Sequence, residues 1–226
     1  MRLLALSDIH GDVDNVRLLR AVEKNEYDAI VVAGDILGPD DNSHIQANEI
    51  MSVLATFGCP VLFVLGNWDK DVPYDIDWGD SCIHLHHRII NIGAFRLIGL
   101  SGLDLEWGMN PYSLSLTEDH TDRSKAQFIK DQKRRRSRGV ASWPGLTIRE
   151  RKTLLREVEL RNRARLVELI KEGDPARTVV VTHSRRYRMD EEASGVLMYL
   201  FGHQHQQSDT HWRDSRYITT SCFVSG

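Results

Sequence analysis

Short apolar runs, each cut off by a polar cluster, set the rhythm of this chain. Arg2–Leu6 runs into Ser7-Asp8-Ile9-His10-Gly11-Asp12, Ala29–Ala33 into Gly34-Asp35, and Val61–Leu65 into Gly66-Asn67-Trp68-Asp69. Near the other end, Thr178–Thr182 runs into His183, and Val196–Phe201 into Gly202-His203-Gln204-His205. Runs of this length predict buried strands. Continuous apolar stretches, unlike alternating ones, need cover on both faces, as in parallel sheets. Between them Val16, Leu18, Leu19 and Val22 recur at helical spacing, with Asp14 or Asn15 as N-cap, and 44–57 predicts a second helix. A long helix is expected over 147–172, with Ile148, Leu155, Val158, Leu166 and Leu169 on one stripe interrupted by Asn162. Gly173 stands beyond its end as a stop. Residues 83–102 read as two strands around an Asn91-Ile92-Gly93 turn, and 217–224 as a final strand. The pattern is that of an α/β protein whose strands deliver polar residues at their C-terminal ends, the edge where ligands bind.

From 104 to about 144 the periodicity dissolves, and Lys133–Arg138 holds five basic residues in six. We expect a single domain over 1–226 carrying a basic helical insertion at about 104–176. Charge sharpens this picture. Residues 123–188 carry 20 Lys/Arg against 7 Asp/Glu, and the remainder 9 against 25, which together give the net −3. A basic segment on an acidic body fits an anionic partner such as nucleic acid, or a solvated helix that balances the body's charge. No apolar run approaches the roughly 18 residues of a membrane span. Cys59, Cys82 and Cys222 are scattered without a CxxC, which fits a reducing, cytoplasmic setting. Nothing in the sequence speaks to oligomeric state.

The strand-end clusters contain seven metal-binding side chains: Asp8, His10, Asp35, Asn67, His183, His203 and His205. Mixed carboxylate, imidazole and amide donors suit borderline divalent ions rather than calcium, which prefers oxygen alone. Seven exceed what one tetrahedral ion takes, whereas two ions sharing a carboxylate would use all of them. Such equipment serves metal-assisted phosphoester hydrolysis.

The order D-x-H, GD, GN-x-D, H and G-H-x-H resembles that of the calcineurin-like metallophosphoesterases, over residues 1 to about 103 and again from about 177 to the end. The resemblance implies a four-layer α/β sandwich of two mixed sheets flanked by helices. It implies two divalent ions, manganese ahead of iron, nickel or zinc. One would take Asp8, His10 and His205, the other Asn67, His183 and His203, and Asp35 would bridge them. A hydroxide held between ions roughly 3.5–4 Å apart would attack the phosphorus. Asn67 and Asp69 are candidate catalytic residues, and Asp69 or Asp12 could accept an imidazole N–H to orient a ligand.

The chain departs from the family pattern at Trp68, where many members have a histidine that protonates the leaving group. Indole cannot act as an acid, so typically 10²–10⁴-fold of rate assistance is missing unless another group, such as His44, supplies it. This points to a phosphodiester substrate, a nucleotide or nucleic acid, with Trp68 binding substrate by stacking or else packing against its own loop. A phosphomonoesterase or protein phosphatase, and a non-catalytic scaffold, are the alternatives. His84, His86 and His87 are expected on an exposed hairpin face, and Arg185, Arg186 and Arg188 divide between phosphate contact and solvent.

Overall fold

The structure is a computed structural model and describes residues 1–38, 43–72, 76–102, 148–185 and 189–220. Strands β1 (Leu3–Leu6), β2 (Ala29–Ala33), β3 (Val61–Val64) and β4 (Cys82–His84) form one sheet in that order. All its pairings are parallel, so this sheet is not mixed as expected. The second sheet is mixed and runs β5-β6-β7-β8-β10-β9, formed by Ile89–Ile92, Phe95–Leu100, Thr178–Thr182, Met198–Phe201, Ser215–Thr219 and Ser208–Trp212. Its outer strands β5 and β9 pair antiparallel and its inner ones parallel.

The strand period of two assigns each face. Ala29, Val31 and Ala33 of β2 join Leu62 and Val64 of β3 against Leu97, Val179, Val181 and Leu200 of the second sheet. Ile30, Val32, Val61 and Phe63 point the other way, onto helices α1 (Val13–Val22) and α2 (Ser43–Ala55). The outer face of the second sheet packs Ile98, Val180 and Phe201 against Leu166, Val167 and Ile170 of helix α3 (Ile148–Lys171) and Met189 of helix α4 (Met189–Glu192). The result is the expected four layers: helices, sheet, sheet, helices.

Several elements differ from expectation. The N-cap of α1 is Asp12, whose carboxylate accepts the Asn15 N–H at 3.0 Å; the helix starts as soon as the first strand's loop ends. Residues 83–102 supply three strands, because β4 belongs to the first sheet and β5 and β6 to the second. The crossing turns the histidines inward. His84 stacks on Phe63 at 5.0 Å, His86 is buried, and His87 donates through Nε2 to the Asn162 carbonyl of α3 at 3.0 Å. Strand β9 escaped notice because four of its five residues are exposed and carry no apolar run. The final strand ends at Thr219, and Cys222 lies outside the described residues, as do residues 103–147 of the insertion and Arg186 and Arg188. The side chains of Ile148, Leu155 and Val158 are likewise outside them, while Asn162, Leu166 and Leu169 all face inward. The end of α3 is shaped by the Arg96 guanidinium, which donates to the Leu169 carbonyl at 3.0 Å. A Cβ on Gly173 would run into the Arg96 guanidinium, so a larger residue there would have to displace it. Among the described residues no helix is long and apolar enough to cross a membrane.

Candidate metal centre

All five polar clusters follow parallel strands and meet along one edge. The loops after β1 and β2 continue side by side beyond the sheet: Asp8 N–H donates to Gly34 O and His10 N–H to Asp35 O, both at 3.0 Å, and Gly11 N–H to Ile36 O at 2.9 Å. The last two motifs are joined by Gly202 N–H to His183 O at 2.8 Å. Backbone hydrogen bonds therefore set the spacing of the ligand loops before any side chain is considered.

Within these loops the side chains form two groups, Asp8 with His10 and His205, and Asp35 with His183 and His203; in each, the ligating atoms lie within 4.8 Å of one another. His10 Nε2 stands 3.3 Å from His205 Nε2, which is 3.5 Å from Asp8 Oδ1. His183 Nε2 is 3.2 Å from Asp35 Oδ2, 2.9 Å from Asn67 Oδ1 and 3.2 Å from His203 Nδ1. Five of the seven candidates, Asp8, His10, Asp35, His203 and His205, have φ between 51° and 71°. Left-handed backbone costs non-glycine residues roughly 1–3 kcal/mol each and gathers at functional sites, where surrounding structure holds it. Here the flanking glycines make the room. A Cβ on Gly66 would stand 2.2 Å from Asp35 Oδ1, and one on Gly34 would stand 2.7 Å from His183 Nδ1.

Electrostatically the site calls for positive charge. Asp8 and Asp35 are 0% and 1% exposed, and no Lys or Arg bridge to either carboxylate is found among the described residues. Burial opposes charge on His183, yet the adjoining Asp35 carboxylate outweighs it and lifts the imidazole to about 9. At Asp35 burial works against ionisation, but His183 and the Trp68 N–H, which donates to Oδ1 at 2.8 Å, hold its carboxyl below the usual range. His10, by contrast, is lowered by burial despite Asp35 and Asp8. Nitrogen and carboxylate donors at this spacing, one amide oxygen beside them and two buried negative charges fit borderline divalent cations.

The supporting partners are not those expected. Among the described residues, the hydrogen bonds of Asp69 and Asp12 include none from an imidazole N–H. Asp69 is fully buried and accepts three backbone N–H groups, from Leu37 on Oδ1 at 2.8 Å and from Asp35 and Gly66 on Oδ2 at 2.9 and 2.7 Å. Burial, with Asp35 nearby, pushes its carboxyl up to about 7, against the pull of those donors. Through both oxygens Asp69 ties together the loops that carry Asp35, Leu37 and Gly66. His183 Nδ1 instead donates to the Ala33 carbonyl at 2.9 Å, leaving Nε2 toward Asn67 and Asp35. Asp8 is held by the Ser7 hydroxyl at 2.5 Å, a partner the sequence reading passed over.

Trp68 is 39% exposed and meets His10 edge-on at 5.7 Å, on the open side of the site. The side chain of His44 lies outside the described residues. Arg185 is exposed, with its guanidinium 5.0 Å over the Tyr217 ring.

Solved structures share this architecture at low identity. The chain matches a phosphopantetheinyl hydrolase from Mycobacterium tuberculosis with a TM-score of 0.52 and 17% identity, covering 98% of this chain and 89% of that one. It matches the protein TT1561 of Thermus thermophilus with a TM-score of 0.60 and 12% identity, over the same shares. Such likeness speaks to the fold alone. No curated protein matches by sequence. The sequence profile of the calcineurin-like phosphoesterases matches residues 1–207, a span that holds all five motifs and both side-chain groups. The chain belongs to the calcineurin-like phosphoesterase family, hydrolases of phosphate esters that use divalent metals.

Proposed function

We propose that the protein is a dinuclear-metal phosphodiesterase acting on a nucleotide or nucleic acid. The observation that supports this best is the pairing of two adjoining carboxylate–imidazole groups with a partly exposed Trp68 beside His10, whose indole cannot act as an acid. Asp8, His10 and His205 would hold one ion and Asn67, His183 and His203 the other, with Asp35 available to both. Manganese suits this donor set first, with iron, nickel or zinc as alternatives. Such ions, when bound, polarise phosphoryl oxygens and acidify coordinated water. The chain's own residues do the rest. The Ala33 carbonyl fixes the His183 ring so that Nε2 faces the site. The His203 N–H fixes Asp8, and the tryptophan face offers a nucleobase about 1–3 kcal/mol of stacking. Position 68 supplies no proton to a leaving group, which favours diesters of acidic alcohols or phenols over alkyl monoesters.

The basic 123–188 segment is the proposed contact for a polymeric substrate, although part of its charge is already paired. Arg163 bridges to Glu192 at 2.9 Å, and Arg165 to Glu168 and Glu172 at 3.1 and 3.3 Å. A reducing, cytoplasmic setting fits the free thiols of Cys59 and Cys82. The test is a substrate panel with Mn²⁺, Ni²⁺, Zn²⁺ and Mg²⁺. Bis(p-nitrophenyl) phosphate is expected to be cleaved faster than p-nitrophenyl phosphate; the reverse order would make the protein a phosphomonoesterase. If nucleic acid is the substrate, its binding weakens steeply with salt.

A further inference from the structure

Strand β4 leaves its sheet early. It pairs with β3 only from Val61 to Phe63, and His86 then bridges to Gly99 of the other sheet. The next ladder position on β3, Leu65, is thereby left without a partner strand just where the chain turns toward Asn67. An amide stranded there would lose its hydrogen bond to water with nothing in return. Ser101, at the end of β6, fills the gap: its hydroxyl accepts the Leu65 N–H at 2.8 Å, and the neighbouring Gly102 N–H donates to the Leu65 carbonyl at 3.1 Å. Ser101 is itself held from two sides. Its N–H donates to His86 Nδ1 at 2.9 Å, and its hydroxyl lies 2.7 Å from His84 Nε2. Burial drives His84 down to about 3, so its ring is neutral; in the Nδ1–H tautomer its Nε2 accepts the serine proton. Both backbone groups of Leu65 are thus gripped two residues before the amide that stands 2.9 Å from His183 Nε2.

We propose that Ser101, oriented by His84, is a positioning residue for Asn67, setting the reach of its amide oxygen into the Asn67–His183–His203 metal position. The inference rests on Asn67 being a ligand there. It predicts that loss of the Ser101 hydroxyl weakens one ion selectively, because the Asp8–His10–His205 position does not hang from Leu65.

Calorimetric Mn²⁺ titration of metal-free protein tests this on wild type and on Asn67→Ala, Ser101→Ala, His84→Leu and His84→Gln, with backbone hydrogen exchange followed over residues 65–69. Asn67→Ala identifies the binding event to which that residue contributes. Ser101→Ala and His84→Leu are expected to weaken the same event about 10–100-fold, typical of partners behind a ligand, while the other event stays at wild-type strength. Exchange over 65–69 should quicken in both. His84→Gln, whose amide can replace the ring nitrogen, should bind like wild type. Equal weakening of both events, or a Ser101→Ala protein that binds and exchanges like wild type, overturns the positioning role alone. An Asn67→Ala protein that keeps both events unchanged, or a wild type that takes up no pair of ions, overturns the ligand reading and the positioning role with it.

Discussion

The backbone N–H of His203 donates to both oxygens of Asp8, at 2.9 Å to Oδ2 and 3.1 Å to Oδ1, so the chain's first motif is fastened to its last. The fastening depends on Gly202, where a Cβ would come within 2.5 Å of Ser7 Cβ and 2.6 Å of Asp8 Oδ2. Gly202→Ala must push this contact apart. We expect a loss of about 1–3 kcal/mol, the usual cost of overpacking, together with weakened Mn²⁺ uptake. Urea unfolding and metal titration measure the two; a variant as stable as wild type with intact binding would refute the fastening.

Asp69→Asn keeps the shape of the carboxylate but replaces one acceptor oxygen with an N–H₂ group. One of the three backbone N–H groups from Asp35, Leu37 and Gly66 then meets a donor. Leaving a buried donor unsatisfied costs roughly 1–3 kcal/mol. The prediction is a destabilised protein whose activity falls because the loops carrying Asp35 and Asn67 shift. Unchanged stability in denaturant titration would show that the loops hold themselves.

Trp68→His places a titratable ring beside His10 on the rim. Hydrolysis of alkyl phosphate monoesters should rise, by up to the roughly 10²-fold end of general-acid assistance, with a smaller change for p-nitrophenyl diesters. Steady-state kinetics at verified metal content decide it; no gain on poor leaving groups would mean that proton donation is not what the tryptophan lacks.

Acid should weaken the fold through His84 and His87. Burial holds His84 at about 3 in the folded chain against 6.5 when unfolded, and lowers His87 likewise. Between those values the unfolded chain binds more protons, so the contribution of these two rings is full above about pH 6.5 and is lost as pH falls toward 3. At about 1.4 kcal/mol per unit of difference, the single His84 ring accounts for a few kcal/mol. His84→Gln, which does not titrate, should flatten the profile over this window in denaturation measured at successive pH values. Parallel wild-type and variant profiles would remove His84 as the source.

Chelation should lower the melting temperature, and added Mn²⁺ should restore it. A ligand at 100 times its dissociation constant contributes about 2.7 kcal/mol to the folded state. Because Asp35 stands 3.2 Å from His183 and belongs to the second ligand group, Asp35→Ala should blunt this response. Scanning calorimetry with and without metal measures it, and an equal Mn²⁺ shift in the variant would deny Asp35 its place.

Much of this arrangement was readable in advance because parallel strands buried on both faces must be written as unbroken apolar runs. β2, all five of whose residues are buried, announces itself, and so does the polar Gly34-Asp35 that ends it. β9 could not be found in this way, since an edge strand with one partner and exposed side chains needs no apolar content. The histidines at 84, 86 and 87 misled for a related reason. Their alternation fits an outward face, and only the crossing of the chain from one sheet to the other turns them inward. Ser101-Gly102 carried the very signal that exposed Gly34-Asp35, a polar pair after an apolar run, but without a metal-binding side chain it attracted no notice. The cap at Asp12 was missed because Asp14 and Asn15 are chemically as suitable; the choice lies in where the preceding loop ends.

Each of the two side-chain groups draws on both halves of the molecule. Asp8 and His10 come from the first sheet and His205 from the second; Asp35 likewise comes from the first, His183 and His203 from the second. A cation in either group would therefore act as a rivet between the two sheets, beside the apolar interface and the His203–Asp8 and His183–Ala33 hydrogen bonds that already join them. Without β7 and β8, which bring His183, His203 and His205, neither group is complete, so competence for chemistry would arrive last in assembly, when the sheets close.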